Sequence, residues 1–152
     1  MRHLVRLAAF SLLTVACAPA CASGLDGKTP DQQSIDALEA RAQQAPPREQ
    51  CFLYAELVHQ MTEVSVRQYA AGDVEKSASL LRHIQQLAHN MHLSMADDNK
   101  RLKNAEILLR HTAFRLTEML HASSLEDRPL VEETLVQVNQ AQTDAMMQVF
   151  RK

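Results

Sequence analysis

The chain has 152 residues, 46% of them hydrophobic, 22% charged and 4% aromatic, with a formal net charge of −2. That length suits one domain, and the near balance of charge removes the basic surface that nucleic-acid binding needs. Three cysteines, two of them within the first 22 residues, exclude a scaffold built on disulfides.

Residues 1–22 have the order of a signal peptide. Arg2 and Arg6 precede an apolar run over 7–16, and Ala20-Cys21-Ala22 is a small-residue cleavage site. Cleavage there makes Ser23 the first residue, leaves Cys51 as the remaining thiol and takes the formal net charge from −2 to −4 through loss of the two arginines. The apolar run is shorter than the roughly 20 residues that span a bilayer, which argues against an uncleaved anchor. Thr14-Val15-Ala16-Cys17 is similar to a bacterial lipobox, with Thr14 where that motif prefers leucine. This alternative makes Cys17 a lipid anchor, and membrane attachment is expected only through it.

Residues 23–28 read as a flexible tether, and 29–152 as a single helical domain. Thr29-Pro30-Asp31-Gln32 predicts a helix start, with Thr29 as cap, Pro30 in the first turn and Gln32 closing a capping box. The helix that follows, to about residue 45, has only Ile35 and Leu38 as large apolar residues and is expected to be the least stable element. Pro46-Pro47 opens a second helix, to about residue 71. Tyr54, Leu57, Val58, Met61, Val64 and Gln68 share one face of it, with Glu56, His59, Glu63 and Arg67 on the other. Cys51 falls at the edge of the apolar stripe and reads as a buried structural thiol. Gly72 stops this helix and Asp73 caps a third, whose stripe is Leu80, Leu81, Ile84, Leu87, Ala88 and Met91.

A turn is expected near 93–97, with Ser94 and Asp97 spaced to cap a new helix. Without it, a continuous helix would run about 75 Å. Residues 101–121 are the longest uninterrupted helical pattern and are expected to organise the fold. Leu102, Ala105, Leu109, Thr112, Ala113, Leu116 and Leu120 cluster within roughly 60° of one centre, and Leu108 and Met119 widen the stripe. Asp97 with Arg101 and Glu106 with Arg110 are acid-before-base pairs at i,i+4. Ser123-Ser124 and Pro129 mark the last turn, Asp127 its cap, and a final helix over about 128–150 carries Val131, Leu135, Val138, Ala145 and Val149. No stretch alternates as a strand would. The expected fold is all-α: an antiparallel bundle of four long helices plus a short N-terminal helix.

Four motifs bear on chemistry. Tyr69-Ala-Ala-Gly72-Asp73 with Ser77, Leu81 and Ile84 is similar to the middle of a tetratricopeptide repeat, but 34 residues beyond Gly72 stands Glu106 in mid-helix, so an ordinary helix hairpin is expected. Glu56 with His59 and Glu118 with His121 have the Glu-x-x-His spacing of di-iron bundles, yet both pairs point away from their helices' apolar faces. His89, Met91, His92 and Met95 have helical spacings suited to a soft ion such as Cu(I) or Ag(I). Against that, Met91 and Met95 share the phase of Ile84 and belong to the core. Asp97-Asp98-Asn99 lacks the glycine and closing glutamate of a calcium loop. No nucleophile triad or phosphate loop is present.

The runs Arg48-Glu-Gln-Cys51-Phe-Leu-Tyr-Ala-Glu56 and Lys103-Asn-Ala-Glu-Ile-Leu-Leu-Arg-His-Thr-Ala113 resemble those of exported all-helical bacterial proteins with no assigned activity. That resemblance implies a compartment and a fold class, but no site. The expectation is a non-catalytic, periplasmic or secreted helical protein without a cofactor. It would act on a protein partner or associate with itself, using apolar residues such as Phe52, Val66, Ile107 and Phe114 that lie off the core stripes. The alternative is a soft-metal binder through His92 and Met95, with His89 beside them.

Overall fold

The computed structural model describes residues 30–93 and 99–150, with side chains over 30–91 and 100–150. The leader, the tether, Cys17, Thr29, the Ser94 and Asp97 turn, Met95 and the His92 side chain lie outside these residues. Five helices are described: α1 (Gln32–Gln44), α2 (Pro47–Ala70), α3 (Val74–Leu93), α4 (Asn99–Ala122) and α5 (Arg128–Phe150). The fold is all-α. No described helix is long and apolar enough to cross a membrane.

Local chemistry sets the helix ends. The start of α1 lies two residues beyond the expected one. Asp31 is its cap: the Ser34 N–H donates to Asp31 Oδ1 at 2.8 Å, and the Asp31 N–H donates to Ser34 Oγ at 3.0 Å. Serine three residues on thus closes the box, not Gln32. A shorter side chain at that position reaches back without ordering a longer one. Pro47 sits at the first position of α2, where its missing N–H costs no bond. At the other end Gly72 takes φ 86°, and the Asp73 and Gly72 N–H groups return to the carbonyls of Gln68 and Tyr69. This is a Schellman ending, and its left-handed position is why a glycine stands there.

The topology follows from which residues meet. α2 and α4 exchange side-chain bonds at a nearly constant separation: Glu49 with Arg101, His59 with Thr112, and Glu63 with Arg115. A constant offset means the two helices run parallel. α3 and α5 do the same, with Gln85 against Thr134 and Leu81 beside Val131. Antiparallel neighbours occur within the hairpins α2/α3 and α4/α5, which pack side by side. α3 and α4, consecutive in sequence, lie on a diagonal and do not pack on each other, as do α2 and α5. α3 and α4 are therefore separate helices of opposite direction.

The element at the centre is α2, not the 101–121 stretch. α2 packs on α1, α3 and α4, whereas α4 packs on α2 and α5. Cys51, Leu53, Ala55, Leu57, Val58, Met61, Thr62, Val64 and Ser65 are all buried, an arc far wider than one stripe. Small residues allow it. Ser65 and Ser77 meet at 2.9 Å where α2 and α3 cross, and Ala55 and Thr62 are fully buried. α1 seals the outward side of α2 with Ile35, Leu38 and Ala42. Fully burying Ile35 or Leu38 contributes about 1.5–3 kcal/mol each. On the polar face of α2, His59 and Glu63 meet α4 while Arg67 is exposed, and Phe52 and Val66 pack partly buried against the core.

Candidate functional site

The densest polar chemistry lies on the seam between α2 and α4. His59 Nδ1 is 3.1 Å from Thr112 Oγ1, and Thr112 Oγ1 donates its one hydrogen to the Leu108 carbonyl at 2.9 Å. The network therefore assigns the Nδ1 proton to His59, donating to Thr112, and leaves Nε2 with a lone pair. Burial pushes the His59 pKa below its ordinary value. Glu63 opposes that shift, and the nearby charges of His111 and Arg115 reinforce it. One turn on, Arg115 grips Glu63 with two bonds, Nε to Oε1 at 2.7 Å and Nη2 to Oε2 at 3.2 Å, and its Nη1 also pairs with Glu118. These acceptors raise the Arg115 pKa further. Arg101 to Glu49 at 2.9 Å fixes the other end of the seam.

Where α1 crosses this seam, Pro30, Ser34, His59, Gln60 and Glu63 line a cleft of about 260 Å³. The Pro30 carbonyl accepts from Arg67. Chemically the cleft offers one neutral imidazole and a carboxylate already neutralised by a bidentate guanidinium. Such a Glu63 is tied as a structural acceptor. The seam fixes the register of two parallel helices, and every group in it except His59 Nε2 is committed to that bonding.

The two Glu-x-x-His pairs do not converge. His59 lies level with Thr112, six residues from Glu118 along α4, which is about 9 Å of helix rise. Glu118 is held by Arg115, and His121 is exposed. Of the soft-metal group, only His89 and Met91 have described side chains. His89 is exposed on a cleft of about 280 Å³ shared with Gln137, Gln140 and Asp144 of α5, while Met91 is fully buried in the core. Two residues apart on a helix, they point to nearly opposite sides, one to water and the other to the core. His92 and Met95 lie outside the described side chains. Among the described residues, no group of three His, Cys, Asp or Glu is placed to hold a metal ion. Cys51 is buried, and burial pushes its thiol up to about 11, which suppresses thiolate at neutral pH.

Sequence reasoning missed a second polar cluster. The Tyr69 hydroxyl, at the end of α2, accepts from the Ser124 N–H at 2.8 Å and donates to Asp127 Oδ2 at 3.0 Å. Ser124 Oγ donates to the same carboxylate at 2.7 Å and accepts from the Asp127 N–H at 3.1 Å. Ser124 therefore closes the turn that enters α5, and Asp127 stands at the expected cap position before Arg128, its carbonyl accepting from the Leu130 and Val131 N–H groups. Of the expected i,i+4 pairs, Asp97 lies outside the described residues, Arg101 bonds Glu49, and Glu106 accepts from Gln142 of α5. For the seam, the separation of 52 residues between acid and base, repeated at Glu49/Arg101 and Glu63/Arg115, was the available signal.

The last candidate is a surface. Val136, Met147 and Phe150 are 58, 57 and 76% exposed, and Met146 is exposed beside them, all on α5. Phe114 on α4 is 63% exposed, whereas Ile107 is half-buried. α5 packs only on α3 and α4, so nothing in the described chain covers its outward side. The chain matches no protein-family model, no curated protein and no solved structure, so the site stands on its own geometry.

Proposed function

We propose that this is an exported, non-catalytic helical protein that works by protein contact, either with another protein or with a second copy of itself. The observation that carries the reading is the apolar outer side of α5. Val136, Met146, Met147 and Phe150 are exposed on this one helix, whereas Phe114 and Leu125 stand singly elsewhere. An apolar line on one helix of a charged surface is what a docking site looks like before its partner is bound. The commitments of Glu63, Arg115 and Thr112 to interhelical bonds, and the burial of Cys51, agree with a scaffold role.

Export rests on the order of Arg2, Arg6, the apolar run over 7–16 and Ala20-Cys21-Ala22. The exported form would begin at Ser23 and sit in the periplasm or medium, or be held on a membrane through a lipidated Cys17. N-terminal sequencing with intact-mass measurement on protein recovered from its native cell decides this. A protein retaining Met1 in the cytoplasm would refute export. Contact is tested by chemical cross-linking of the native envelope, comparing the natural chain with Met147→Asp/Phe150→Asp. Equal cross-linked species from both would remove the α5 face from the reading.

A further inference from the structure

The five helices are not held equally. α1 packs on α2 alone, whereas each of the others packs on at least two helices. It docks through one line of buried residues, Ile35, Leu38 and Ala42. Its polar ties to the body include the bond from Arg67 to the Pro30 carbonyl and that between His83 Nε2 of α3 and Glu39 Oε1 at 3.2 Å, which is partly open to water. α1 has 13 residues, and a helix of that length is marginal by itself in water. It is a helix because it is docked. The joint also sets it apart. Ala45 and Pro46 are extended, with ψ of 150° and 151°, and neither Pro46 nor Pro47 has an N–H to carry helix bonding across. α2 starts without help from α1, since the Pro46 carbonyl accepts from the Glu49 and Gln50 N–H groups. Glu49 with Arg101, Glu63 with Arg115 and Ser65 with Ser77 tie α2 to α4 and α3 independently of α1.

We propose that α1 is a latch: it leaves α2 and loses its helix as one unit, while the four-helix body stays folded. Opening uncovers an apolar line that the closed protein hides. Leu53, Leu57, Gln60 and Val64 follow one another on α2 at steps of four, three and four residues, so they share one side of the helix. Gln60 borders the same cleft as Ser34 of α1, which places that side under α1. Leu53, Leu57 and Val64 are buried there. The body survives the opening because α2 keeps two of its three neighbours and its bonds to both. α1 does not survive it, because the docked line is what offsets the entropy of ordering so short a helix. Such an element opens at a free energy below that of global unfolding. The device is independent of the protein-contact reading above, which rests on the opposite corner of the body.

Native-state hydrogen exchange of the full chain tests this, with low urea added in steps. The amides at 38–44 should be at least about a hundredfold less protected than those at 57–62 and 109–116. They should share one urea slope, smaller than that of the body, because a unit that opens together exposes one patch of surface. Asp31→Ala removes the capping box at the far end of α1, and should lower protection about fivefold uniformly across 38–44, with the body unchanged. Glu39→Lys, which breaks the tie to His83, should act in the same direction and on the same amides. Ile35→Asp should abolish α1 protection, leave the body protected and raise the binding of a fluorescent apolar dye. Equal protection in α1 and the body would overturn the proposal. So would an Asp31→Ala effect confined to the amides nearest residue 31, which is fraying, or an Ile35→Asp chain whose body has unfolded or whose dye binding has not risen.

Discussion

α2 and α5 are nearly equal in length and stand at opposite corners of the same four-helix body, yet they are used in opposite ways. α2 is walled in by three helices and buries an arc that takes in cysteine, serine, threonine and alanine as well as leucine. α5 touches two helices and buries one narrow line of Val131, Thr134, Val138, Ala141 and Ala145, while Val136, Met147 and Phe150 stand outside. The difference teaches that apolar content does not locate the centre of a helical protein. The width of the buried arc does, because three neighbours cover more of a helix's circumference than two.

The sharpest way to break this comparison uses one residue type in both places. Met61 is fully buried on α2, and Met147 is more than half exposed on α5. Met61→Ala should cost about 2–5 kcal/mol, and Met147→Ala should stay within about 0.5 kcal/mol. Urea unfolding of the two variants measures it, and equal losses would mean that α5 is buried in the protein as it exists in solution. Next in size is the link between the two helices. Tyr69→Phe removes a hydroxyl that joins the end of α2 to the turn entering α5, and should cost about 1–1.5 kcal/mol by the same measurement. Arg115→Ala unclamps Glu63 on the seam. Because the pair is partly open to water, about 1 kcal/mol or less is expected, shrinking in high salt.

The smallest effect is a pH slope on the α2 side. His59 titrates near 6.5 when unfolded, and burial lowers its pKa in the folded chain, with His111 and Arg115 assisting against Glu63. Below about pH 6.5 the unfolded state then binds more protons than the folded state. Stability should fall as pH drops through that region, until the folded imidazole itself takes a proton, and His59 should contribute no slope above it. His59→Gln should flatten this part of a stability-against-pH curve. An unchanged slope would mean that His59 is solvated and the Thr112 contact is not made.

Some of this molecule is local and was legible as such. Gly72 ends a helix because its φ of 86° suits no other residue as well, and Pro47 starts one because it needs no N–H donor there. The stripe of Leu102, Ala105, Leu109, Thr112, Ala113, Leu116 and Met119 is buried, as its 3.6-residue period requires. Each depends on residues within a turn or two of itself. The cap of α1 stands two residues on, at Asp31 instead of Thr29, because Ser, Thr and Asp cap almost equally well and only backbone direction chooses among them.

Legible in the sequence, then, are the approximate extents of the helices and the apolar stripes of α3 and α4, since hydrophobic period and helix-end chemistry are short-range. Tertiary structure alone decided the rest. It set α2 and not α4 at the centre, turned His59 and Glu63 from a solvated face into a seam, and left the apolar line of α5 uncovered. The physical reason is one of range. A wheel gives each helix's angle to its own apolar centre, but which neighbour fills which angle depends on contacts some 50 residues apart, and no local period encodes them.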